Sequence, residues 1–213
     1  MESEKTQKLR VLFEKMQADK TLPLAGEANL VFGEGNIDCT VMFIGEAPGQ
    51  KEDELIRPFV GRAGQLLTKM IEEIGWKRED VYITNIVKRR PPMNRDPLPE
   101  EIEAYKPYLT EQIRIIRPLV IATLGRFSMN YFLPFAKITR DQGKVFRMGS
   151  MFLVPLLHPA AALRGNEMMK LFRESFRKLP RIIEKCNELK NTSASGNGGE
   201  TDSESNEEQA HLL

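Results

Sequence analysis

The sequence predicts an α/β fold: a three-layer α/β/α sandwich around a central four-stranded parallel sheet. Two observations predict it. Four short apolar runs, at about 39–45, 81–87, 119–125 and 151–157, are separated from one another by stretches with helical spacing. The first run, ending Val41-Met42-Phe43-Ile44, empties into the Gly- and Pro-rich stretch GEAPGQKEDELIRPFVGRAG at 45–64, and a helical pattern follows from Gln65. A buried strand that opens through such a loop into a helix is where α/β proteins place ligands, in the crevice at the carboxyl ends of the strands.

The elements follow in order. Residues 3–17 carry Leu9, Leu12, Phe13 and Met16 on one stripe and predict an amphipathic helix. Residues 18–38 are Gly-rich and irregular. After the first strand and its loop, a helix runs to about 75. Arg78-Glu79-Asp80 turns into the second strand, VYITNIV, and a polar, Pro-rich loop, KRRPPMNRDPLP, spans 88–99. A helix with Glu100 and Glu101 in its first turn runs toward Arg117, with Pro107 as a point of bending. The third strand, LVIATLG, leads to a short helix from Phe127 to Phe132, and residues 138–149 form a polar connection. The fourth strand, MFLVPLL, ends at His158-Pro159, and a last helix covers about 166–188 with a kink at Pro180.

The 213 residues, 41% of them hydrophobic, suit one compact domain plus a tail, with the division expected at 1–190 and 191–213. From residue 192 the chain holds five acids, no Lys or Arg and no aromatic, so disorder is expected there. Removing those five negative charges from a net +1 leaves +6 on residues 1–191, a mildly basic body that suits a phosphate-rich partner. There is no apolar run of membrane-spanning length and no signal-peptide pattern at the N-terminus. Two cysteines, Cys39 and Cys186, make no spaced framework, which points to a cytoplasmic protein without a closed cysteine metal site.

Three strands end in marked residues: Gly45-Glu46, Asn85 and His158. His158 is the only histidine before the tail. At a strand end it is either a structural side chain or a hydrogen-bond donor to developing negative charge. Asn85 carries a donor and an acceptor on one group, suited to reading the edge of a base or to capping a turn. Phe59, after Pro58, is either a core plug or a stacking platform for a flat ring. The basic residues Lys88, Arg89, Arg90 and Arg95 suit a nucleic-acid backbone or a solvated face, and Arg164 and Asn166 are candidate phosphate contacts. A phosphate-gripping nucleotide module is disfavoured, because the 45–64 loop is acidic and lacks a following Lys-Ser/Thr.

Taken together, GEAPGxxED with PFVGxAG, then VYITNIVKxRPPxNRxP, then HPAAALR resemble the family 4 uracil-DNA glycosylases over residues 20–185, with GEGN at 33–36 included. The resemblance implies a DNA-repair enzyme that flips uracil out of the DNA stack and hydrolyses its glycosidic bond. By the same resemblance Gly45, Ala47, Phe59, Asn85 and His158 would bind uracil, with Phe59 stacking, Asn85 reading O4 and N3–H, and His158 donating to O2. Glu46 would join Asn85 and His158 as catalytic, with Glu52 and Asp53 as alternatives for positioning the water. Arg62, Lys88, Arg90, Arg95 and Arg164 would meet DNA. Related enzymes with a GQDPY loop use its Asp, but the matching position here is Ala47, and Gly49 stands where they set a bulky ring against thymine's methyl.

The family holds an iron–sulfur cluster on four cysteines. The matching positions here are Asp19, Leu22, Arg89 and Tyr105, so no cluster or other metal is expected. Ile56 replaces a residue that is usually Gly. Alternative readings are a catalytically weak relative that binds uracil or single-stranded DNA, and a glycosylase of shifted specificity, for hypoxanthine for example. The protein is expected to act as a monomer, off the membrane. The ending Gln209–Leu213 resembles peptides that dock bacterial sliding clamps.

Overall fold

The computed structural model describes residues 2–195. Six strands form one sheet: β1 (Glu34–Gly35), β2 (Val41–Gly45), β3 (Tyr82–Asn85), β4 (Val120–Leu124), β5 (Phe146–Met148) and β6 (Met151–Leu156). Their order is β1-β3-β2-β4-β6-β5. The inner four, β3-β2-β4-β6, run parallel and are the four expected from the apolar runs. The edge strands β1 and β5 pair antiparallel, so the sheet is six-stranded rather than four-stranded. Both edges are too short and too polar to register as strand patterns. Glu34–Gly35 pairs closely only because residue 35 is glycine: a Cβ there would lie 1.9 Å from the Val81 carbonyl oxygen.

Side-chain alternation sorts the strands' apolar residues onto two faces. From β2, Val41 and Phe43 enter one core with Leu67, Met70, Phe172 and Phe176, and Met42 and Ile44 enter the other with Leu12, Met16, Tyr105 and Leu109. The first face is covered by α3 (Arg62–Glu73), α7 (Pro159–Ala162), α8 (Asn166–Arg177) and α9 (Leu179–Ser195). The second is covered by α1 (Glu4–Ala18), α4 (Pro99–Ile116) and α5 (Arg126–Phe132). This is the three-layer arrangement expected. Two short helices, α2 (Gln50–Leu55) and α6 (Ile138–Asp141), lie in stretches expected to be loop.

The helix ends follow local chemistry. At the start of α4 the Glu101 carboxylate accepts from the Leu98 N–H (2.8 Å) and from both Arg95 guanidinium nitrogens. The helix then runs through Pro107 without interruption. The expected single C-terminal helix is two, divided at Lys178. Pro180 sits at the second position of α9, where it has no helical acceptor to lose. Helix α9 continues to Ser195, past the expected domain limit at 190. The acidic tail beyond it, with Gln209–Leu213, lies outside the described residues. No described helix is long and apolar enough to cross a membrane.

Candidate active site

Three neighbouring parallel strands, β3, β2 and β4, end on the same side of the sheet, with β6 beside β4. The register brings Asn85 opposite Gly45, and the ladder runs on past the strand ends, with Ile86 N–H donating to Gly45 O and Val87 N–H to Glu46 O, both at 3.0 Å. Asn85 is thereby fixed at the mouth. Its side chain is buried, and its Oδ1 has no protein partner. Leaving a buried carbonyl unpaired costs about 1–3 kcal/mol, so the group is poised for a ligand.

Gly45 is what lets the other parts come close. A Cβ on it would stand 2.4 Å from Asn85 Oδ1 and 2.4 Å from the tip of the Phe59 ring. Phe59 itself has φ 51, a left-handed conformation that is costly for an aromatic residue. Two features hold it there. Gly64 in α3 lies against its backbone, where a Cβ would fall 2.0 Å from the Phe59 carbonyl carbon. Arg78 donates to the Pro58 carbonyl at 2.6 Å while it pairs with Glu34. Phe59 is buried in the core beneath α3 and also turns its ring toward His158, with centroids 5.8 Å apart and planes at 40°. Of the two sequence readings of Phe59, the core plug is what the packing shows.

His158 caps α7: its Nδ1 accepts from the Ala160 N–H at 3.2 Å. In the neutral ring the proton then sits on Nε2. Burial pushes the imidazole down to about 4, with Arg164 lowering it further and Glu52 opposing. At neutral pH the ring is an uncharged donor. Beneath it lies Gly125, with φ 92 and room for no Cβ, since one would come 2.9 Å from the His158 Cβ. Sequence reading passed over Gly125. The only signal was its place at the end of the third apolar run.

The acids of the 45–64 loop divide sharply. Glu46 follows β2 directly and is half-buried, and burial first, then Asp96, push its carboxyl up to about 7, with Arg126 opposing. Glu52 is a clasp: one carboxylate oxygen accepts from the Val60 and Gly61 N–H groups (2.9 and 2.8 Å) at the start of α3. Asp53 turns the other way, accepting from the Asn29 N–H at 2.7 Å. It is therefore held by the 25–31 segment rather than facing the three site residues. Ala47 packs toward the second core.

Phe59 links the other two at the carboxyl ends of the strands: its ring tip and Asn85 Oδ1 both crowd Gly45, and its centroid is 5.8 Å from that of His158. The model of the uracil DNA glycosylase superfamily matches residues 32–180. The chain belongs to the Type-4 uracil-DNA glycosylases. Proteins of that name from Sulfurisphaera tokodaii, Thermotoga maritima and Archaeoglobus fulgidus are 48%, 42% and 44% identical to it. The matches cover 71%, 83% and 75% of this chain and 73%, 95% and 84% of those relatives.

The four positions that carry cysteines in the family do not fit an iron–sulfur cluster here. Leu22 is buried and apolar. Tyr105 donates to the Pro23 carbonyl at 2.7 Å and accepts from Arg89 Nη1 at 3.1 Å. Asp19 accepts from the Tyr108 hydroxyl at 2.6 Å. None of these groups is a thiolate, and protein hydrogen bonds already join the segments that a cluster would tie. Cys39 and Cys186 belong to cores on opposite faces of the sheet, each with its thiol pushed up to about 11, chiefly by burial.

The expected DNA-facing cations also divide. Arg62 and Arg164 are exposed and Arg90 partly so. Lys88 is fully buried and cannot meet a phosphate. Its ammonium nitrogen lies against Thr84 Oγ1 and Gln112 Oε1 (2.6 Å), beneath α4, and burial lowers its proton affinity well below that of an ordinary lysine. Arg95 is committed to Glu101. A groove of about 1050 Å³ between α1 and α4 contains none of the site residues.

Proposed function

We propose that the protein hydrolyses the glycosidic bond between uracil and deoxyribose in DNA and leaves an abasic site. The observation that carries this reading is the buried, unpaired Asn85 Oδ1 at the strand ends, with Phe59 across Gly45 from it and an uncharged His158 beside Phe59. A uracil extracted from the stack would lie on Phe59. Asn85 would accept from its N3–H and donate to its O4. Cytosine presents the opposite pattern, an acceptor at N3 and an amino donor at position 4, and would meet like groups at both points.

As the C1′–N1 bond breaks, its electron pair passes to the leaving base, and negative charge gathers on N1 and O2. His158 Nε2–H would donate to O2 and stabilise that charge without first losing a charge of its own. The sugar becomes oxocarbenium-like, water forms the new bond to C1′, and its proton goes to a base. Glu46 is the carboxylate left for that role, because Glu52 is engaged with α3 and Asp53 with Asn29. The second oxygen of Glu52 stands 2.8 Å from where a Cβ of Gly49 would be, so that oxygen crowds the place where a side chain at residue 49 would begin.

The enzyme acts in this reading as a cytoplasmic monomer without a cluster, its DNA backbone contacts supplied by Arg62, Arg90 and Arg164. Asn85→Ala and His158→Ala should each slow uracil release by about 10²–10³-fold, the usual cost of losing one preorganised donor. Wild-type rates from both variants would place the chemistry elsewhere.

A further inference from the structure

We propose that Lys88 is a positioning residue that holds Asn85 in place for the base it reads. The inference rests on the uracil-excising reading above and adds a residue to it. Lys88 has no part in the mechanism, yet it is fully buried, and among the described residues no carboxylate pairs with it. An unpaired charge is costly to bury, so the side chain is held as a neutral amine.

Its hydrogen bonds agree with that state. Thr84 Oγ1 donates its proton to the Phe32 carbonyl at 2.8 Å. Gln112 turns its amide nitrogen to the same carbonyl at 3.0 Å and to the Tyr82 hydroxyl at 3.2 Å. Thr84 Oγ1 and Gln112 Oε1 are therefore left as acceptors, and both face Lys88 Nζ. A neutral amine has two N–H donors and satisfies both; a third proton would find no partner among the described groups.

The amine closes a ring at the end of β3. Its ends are Thr84 and Lys88, four residues apart, and Asn85 stands inside it, at the last position of the strand. The backbone of the same stretch is fastened on both sides. Ile86 and Val87 N–H groups donate to the Gly45 and Glu46 carbonyls, and the Lys88 carbonyl accepts from the Val31 N–H at 2.8 Å. A carboxamide that reads a base edge has to be held to within about 0.5 Å. The regular ladder stops at Asn85, so that precision falls to the residues just beyond it. A methionine at 88 would fill the same space and close no ring.

The test compares full-length Lys88→Met, Thr84→Val and Thr84→Ser with the wild type on a uracil-bearing single strand under single-turnover conditions. Lys88→Met and Thr84→Val break the ring, and Thr84→Ser keeps the hydroxyl. The first two should release uracil about tenfold more slowly, the scale of one displaced hydrogen bond, with the half-saturating enzyme concentration unchanged. Thr84→Ser should keep the wild-type rate. Thr84→Val, the milder change, carries the test if Lys88→Met does not fold. Wild-type rates from the ring-breaking variants overturn the proposal, and so does a rate loss matched by an equal loss of folded protein. A second reading needs no cleavage. The Asn85 side-chain amide signals, assigned by their absence from Asn85→Ala, should form one sharp pair in the wild type. They should broaden or double in Gln112→Leu, which removes the acceptor supplied by α4. An unchanged pair overturns the positioning role. A wild type that shows the sharp pair but releases no uracil would defeat the glycosylase reading alone.

Discussion

His158 and Glu46 sit at the same strand-end rim, and burial moves their proton affinities in opposite directions. The histidine is held down to about 4 and the glutamate up to about 7. The signs decide the pH profile. His158 takes up a proton only below about 4, so it is a neutral donor throughout the working range and adds no limb. Glu46 must be ionised to accept a proton, so kcat/KM should climb as pH rises through about 7 and level off above it. Glu46→Gln should remove that limb along with most of the rate. A limb that survives the substitution would assign it to another group. Of these residues the sequence showed identity but not state. Asn85, Phe59 and His158 were legible because each follows a strand end or a proline. The division of labour among Glu46, Glu52 and Asp53 was not, because all three look alike in an acidic loop and only their partners separate them.

At the scale of elements, the four parallel strands were legible because strands covered on both faces are apolar almost throughout. The edges were not: two and three residues of mixed character make no pattern. Helix α2 was hidden in a Gly- and Pro-rich stretch, where its place depends on Glu52 bridging to the start of α3. Lys88 was misread for a related reason. In a run of three cations it looks solvated, but it lies three residues past the end of β3, and its side chain turns under α4 to Thr84 and Gln112. This yields a contrast in salt dependence. Arg164→Ala should reduce the slope of log affinity for DNA against log salt by about one, and Lys88→Met should leave that slope unchanged. Equal loss from both would mean that Lys88 reaches the DNA.

At the scale of the molecule, the segment from Asp19 to Val31 is held by Tyr105, which Arg89 braces, by Tyr108, and by the Lys88 carbonyl, which accepts from the Val31 N–H at 2.8 Å. These hydrogen bonds contribute about 1 kcal/mol each. The sequence disclosed that the cysteines were gone, but not what stands in their place, because the partners come from helix α4 more than eighty residues away. Beyond the described residues, the ending Gln209–Leu213 is proposed to dock a sliding clamp, with the acidic tail as its tether. Removing residues 209–213 should abolish clamp recovery in a pull-down, and equal recovery would end that idea.

The central claim is that the strand-end site of Asn85, Phe59 and His158 excises uracil and does so without an iron–sulfur cluster. It is tested most directly by uracil release from an oligonucleotide carrying one uracil, beside the same strand carrying thymine, using anaerobically purified protein assayed for iron and sulfide. The account predicts cutting at uracil, an intact thymine strand, and neither iron nor sulfide in stoichiometric amount. Stoichiometric iron and sulfide, cutting at thymine, or no cutting at uracil would contradict it.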